Sequence, residues 1–112
     1  MRKEITDILQ VGKCYFHLGY YDKNLAFPFI ETYFFLGKNL FPDVGFDAWF
    51  FQEAPHFLGS NTPMSLDACE QNGVIHVPSH GLQDFMDWQG LIDELVENKV
   101  LQDQGKFLSQ RT

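Results

Sequence analysis

Three runs of residues between Cys14 and Ala54 sort with a period of two, and turn-forming residues separate them. A two-residue period puts successive side chains on opposite faces of a strand, so the pattern predicts a β-meander. The first run, Cys14 to Asp22, sets Cys14, Phe16, Leu18 and Tyr20 against Tyr15, His17, Gly19 and Tyr21. Asp22, Lys23 and Asn24 then supply a turn, since Asp and Asn side chains bond nearby backbone. The second run, Ala26 to Lys38, sets Ile30, Thr32, Phe34 and Leu36 against Phe29, Glu31, Tyr33 and Phe35. Pro28 has no N–H to give a ladder and belongs near the start of that strand, at a bulge or on an open edge. A loop from Asn39 to Phe46, with Pro42 and Gly45, leads to the third run, Asp47 to Glu53.

Outside the meander the period changes. Ile5, Ile8 and Leu9 recur at helical spacing within Glu4 to Val11, and Gly12 ends that short helix. Ala54 to Gly59 carries Pro near its start and Gly at its end, the asymmetry of a single helical turn. A polar turn from Gly59 to Pro63 precedes a short turn of helix or an ordered loop over Met64 to Gln71. Val74 to Val77 is a β-branched run and predicts a fourth strand. The last helix is expected to be capped by Ser79 or His80, with a second start after Asp87 because Gly90 weakens its interior. Phe85, Trp88, Ile92, Leu95 and Val96 share one face of that helix, with Leu91 at the margin and an acidic stripe opposite. These elements make one α+β domain over residues 1–101. It has an antiparallel sheet of about four strands, a short N-terminal helix and an amphipathic C-terminal helix packed on one sheet face. Residues 102–112 read as a polar, frayed tail.

Composition adds two things. The meander holds 14 of the 18 aromatic residues, and both faces of its second strand are aromatic. A sheet with one solvated face alternates apolar and polar. Either the same chain covers the second face, or Phe29, Tyr33 and Phe35 form an interface with another chain. Charge is the second feature. The net charge is −7, and Lys38 and Lys99 bracket a stretch with ten acids and no Lys or Arg. Such a surface repels phosphate backbones and anionic lipid, which argues against nucleic acid and membrane as partners. It attracts a basic protein. No apolar run has the length of a membrane span, and MRKEITDILQ lacks the apolar core of a secretory signal, so a cytoplasmic location is expected. Cys14 and Cys69 are then read as buried thiols.

Candidate chemistry is sparse. Cys69, His76 and His80, with Cys14 and His17, offer zinc-ligand types, but Cys14 and His17 point to opposite faces of a strand and no compact knuckle is present. The same objection meets a Cys–His nucleophile pair. No phosphate-binding, hydrolase or metalloprotease motif occurs, and no cofactor is implied. Glu31, in mid-strand between aromatics, calls for an open face or an ion pair with Lys13 or Lys38.

The expected function is therefore a non-catalytic protein-binding module for a basic partner, of the physical type of small inhibitor or toxin-neutralising, immunity-like proteins. Its surface would combine Asp43 and Asp47 of the loop with Asp87, Glu94 and Glu97 of the helix, with Tyr33 and Trp49 as aromatic anchors. The alternatives are a homodimer or higher homo-oligomer paired through the aromatic sheet face, and a small-ligand or enzymatic domain in which His17, His56 or His76 does acid–base work.

Overall fold

The meander is present as β1 (Cys14–Tyr20), β2 (Pro28–Lys38), β3 (Trp49–Glu53) and β4 (Val74–Val77), in a computed structural model that describes residues 5–60 and 65–104. Helices α1 (Ile5–Ile8), α2 (Ala54–Leu58) and α3 (Trp88–Asp103) complete it, with one further strand, β5 (Phe85–Met86). The expected helix start at Glu4, the turn residues 61–63, Met64 and the tail from 105 onward lie outside the described residues. Helix α3 runs through Gln102 and Asp103, two residues past the expected domain boundary.

All the strand pairings are antiparallel, in the order β4-β3-β2-β1-β5. The fold is thus α+β with an antiparallel sheet, as the periodicity predicts, and β5 makes the fifth strand. Pro28 opens β2, where no ladder bond is lost. Asp22 builds the β1–β2 turn: its carboxylate accepts from the Ala26 and Phe27 N–H groups at 2.9–3.2 Å. Near its far end β2 slips register between Phe35 and Gly37, and Gly37 takes φ +145, a conformation that side chains rarely adopt. That bulge turns β2 into the loop, which holds a 3₁₀ turn over Pro42–Val44 with Gly45 left-handed behind it.

The chain itself covers both sheet faces except at the distal half of the first hairpin, where Tyr21, Phe27 and Ile30 stay exposed. On one, Tyr15, Tyr33, Phe35, Phe51 and Phe85 pack beneath Ile5 of α1 and Leu82, which belongs to a 3₁₀ stretch over Ser79–Asp84. The Phe51 and Phe85 rings stack there at 4.2 Å. On the other face Phe50, Ala48, Val74 and Cys69 form a cluster at the β3–β4 side. Phe16, Met86 and Leu91 form another at the β1–β5 side. Phe57 of α2 stacks on Phe34 of the central strand at 4.2 Å. Tyr33 and Phe35 are 8% and 6% exposed. They are core residues, which corrects the reading of these two as an interface with another chain; Phe29, the third residue of that reading, is half-buried against Tyr21.

The second correction concerns the last helix. Neither Ser79 nor His80 caps it, and Phe85 is not helical. Phe16 pairs with Met86 and His17 with Phe85, so these two residues close the free edge of β1 and send one side chain into each core. The helix begins after Asp87, the second of the expected starts. Gly90 accordingly sits in its first turn, where its N–H donates to the Asp87 carboxylate at 2.8 Å.

Candidate functional site

Helix α3 owes its position to that cap. Asp87 is extended, and its carboxylate satisfies one of the orphan N–H groups of the first turn. Leu91 then meets Phe16 and Met86, and Leu95 packs on the same cluster. One turn on, Asn98 Nδ2 donates to the Tyr20 hydroxyl at 2.9 Å, tying the helix to the end of β1. With Leu91 facing the sheet, a rotation of 100° per residue puts Trp88, Ile92, Val96 and Val100 at about 60, 100, 140 and 180° from it, so the row winds from the edge of the docked side to the outer side. They are 62, 47, 58 and 46% exposed. The expected packing face is therefore rotated: Leu91, placed at its margin, is the buried residue, Trp88 leans on Phe16 at the edge of the docked side, and Ile92 and Val96 look outward.

The outer stripe is flanked by charge. Asp93 and Glu97 follow one flank, and Asp93 accepts from Gln89 Nε2 at 2.9 Å. On the other flank Lys99 lies 3.1 Å from Asp103. At its N-terminal end the stripe opens into a cleft of about 740 Å³, where Trp88, Gln89 and Asp87 face Asp7, Gln10 and Lys13. The Trp88 ring stands edge-on to Phe16 at 4.7 Å. The opposite wall is fixed from behind by the buried Tyr15 hydroxyl, which donates to the Ile8 carbonyl and accepts from the Gln10 N–H, both at 2.8 Å. Burial pushes the Tyr15 and Tyr33 phenols and the Cys69 thiol up from their ordinary pKa values.

The expected site residues fall in separate places. Asp43 lies in the 3₁₀ turn of the loop. Asp47 is 3.7 Å from Lys38 Nζ and accepts from Asn39 Nδ2 at 3.0 Å. Lys38 also stands over the Trp49 ring at 4.8 Å, so Asp47 and Trp49 share one cation. A shallow groove of about 350 Å³ runs beside them, walled by Phe41 and Phe46. This group sits where β2 ends, whereas α3 runs from Phe16 toward Tyr20, the other end of β1. Loop acids and helix acids therefore do not form one patch. Within α3, Asp87 is committed to the cap, while Glu94 and Glu97 lie along one flank. Tyr33 is in the core and offers no surface anchor.

Glu31 is not paired with Lys13 or Lys38; its carboxylate lies 3.2 Å from Nδ1 of His17, its cross-strand neighbour, on a half-open face. His76 rests against Phe46 and Phe50. Cys69 lies in a core and Cys14 in the wall of the α3 cleft. Among the described residues no three His, Cys, Asp or Glu side chains converge in a metal-binding arrangement. No protein family, curated protein or solved structure matches this chain.

Proposed function

We propose that this protein is a non-catalytic interaction module that captures a basic protein partner on the outer face of α3. One observation carries the reading: a helix whose inner side is docked on the sheet exposes a row of four large apolar residues that winds from Trp88 at its edge to Val100 on its outer side. Contiguous apolar surface rimmed by polar residues marks docking sites. The sign of the rim selects the partner. Asp93 and Glu97 belong to a stretch with ten acids and no Lys or Arg, and Lys99, the nearest cation in sequence, is paired with Asp103, so a cationic surface gains both affinity and speed of encounter. The inhibitor or toxin-neutralising type expected from the sequence fits this arrangement, with α3 replacing the composite of loop and helix acids.

The test compares the wild-type protein with Ile92→Asp/Val96→Asp and with Asp43→Asn/Asp47→Asn as tagged baits in native lysate, washed at low and high salt. A basic protein recovered by the wild type and the loop variant, released by salt and lost with the α3 variant, supports the proposal. Equal recovery by the α3 variant sinks it.

A further inference from the structure

We infer that the partner meets α3 with an amphipathic helix of its own, apolar along one side and bearing Lys or Arg beside that side. The inference rests on the interaction surface proposed above and concerns what occupies it. Trp88, Ile92, Val96 and Val100 are spaced four apart, so they form one continuous i, i+4 ridge. Twelve residues at 1.5 Å give that ridge a length of about 18 Å. Ridges of this spacing interdigitate with their like in a crossing helix at about −50°. Ile92 and Val96 then sit at the crossing point, with the Trp88 cleft and Val100 at the two ends.

Three other occupants fit less well. An extended segment binds by adding backbone hydrogen bonds to a sheet edge, but the backbone groups in the middle of α3 are spent within the helix, and the ridge presents side chains only. A second copy of the chain would set Asp93 and Glu97 against identical acids between molecules that each carry a net charge of −7. A lipid surface calls for Lys and Arg on the polar flanks. Here Lys99 is the only cation on α3, and it is paired with Asp103. A basic helix answers the apolar ridge and the acidic flank together.

The probe is a pair of synthetic 18-residue helical peptides with the same leucine face, one flanked by lysine and the other by glutamate. They are titrated into ¹⁵N-labelled full-length protein. The lysine peptide is expected to shift the amides of Ile92 and Val96 and the Trp88 indole N–H. Its affinity should exceed that of the glutamate peptide by about tenfold or more and weaken with salt. Ile92→Asp/Val96→Asp should reduce binding by about tenfold or more while circular dichroism and the unfolding midpoint stay unchanged. Equal binding of the two peptides overturns the inference, as does binding indifferent to the α3 substitutions. A dimer in sedimentation that the substitutions abolish would install a second copy instead. Shifts at the same residues with phosphatidylcholine vesicles would install a lipid surface. If neither peptide binds while lysate capture still depends on Ile92 and Val96, the helical occupant falls and the interaction surface stands. If capture is also indifferent to them, both fall.

Discussion

At Gly19 the Phe29 ring of the paired strand lies where a Cβ would stand. Gly19→Ala must displace the far end of that half-buried ring, which has open space beside exposed Tyr21, and a loss of about 1 kcal/mol or less is expected in urea denaturation. The Tyr15 hydroxyl is a second single-residue device. Tyr15→Phe keeps the ring and leaves the Ile8 carbonyl and Gln10 N–H without their partner, a cost of about 1–3 kcal/mol. The buried phenols and thiol also set an alkaline limit. In the fold they are harder to ionise than in the unfolded chain, whose values are 10.0 for tyrosine and 9.0 for cysteine. Their contribution is whole below those values and is lost as pH climbs through them toward the higher folded-state values. The urea midpoint should therefore hold steady up to about pH 9 and fall between pH 9 and 11. Tyr33→Phe should flatten that fall. A midpoint that stays level to pH 11 would contradict the burial of these groups.

Among the elements, α3 divides sharply between its two sides. Leu91→Ala should cost about 2–5 kcal/mol because it empties a packed site between Phe16 and Met86. Asp87→Ala should cost about 1 kcal/mol by uncapping the first turn, and Asp87→Asn should restore most of it. Meander, loop, α2 and β4 were legible in the sequence because period two, Pro and Gly report on local backbone geometry, and each of those elements is set locally. The phase of α3 was not legible. Phe85, Trp88 and Ile92 match a helical face in isolation; only the pairing of Phe85 and Met86 with β1 shows that the helix starts later and turns Leu91 inward. That pairing joins residues about 70 apart in sequence, and no local pattern announces it. The candidate site was missed for the same reason, since an apolar stripe reads as core until its surroundings are known.

Across the whole molecule the two cores share one sheet, so damage on either side is felt by both. Phe51 touches the rings of Tyr15, Phe35 and Phe85 from three other strands. Phe51→Ala is expected to cost about 3–5 kcal/mol in one cooperative transition seen alike by fluorescence and circular dichroism. The placement of β5 carries a consequence for synthesis. Strand β1 has its β2 partner within reach once the first hairpin has emerged, whereas the residues that close its outer edge and the Phe16 side, Met86 and Leu91, are made about 70 residues after β1. At about 5–20 residues per second, that interval lasts several seconds on the ribosome. Throughout it the nascent chain carries a bare strand edge beside unsheltered aromatic rings, which is the surface that holdase chaperones and sister nascent chains both recognise.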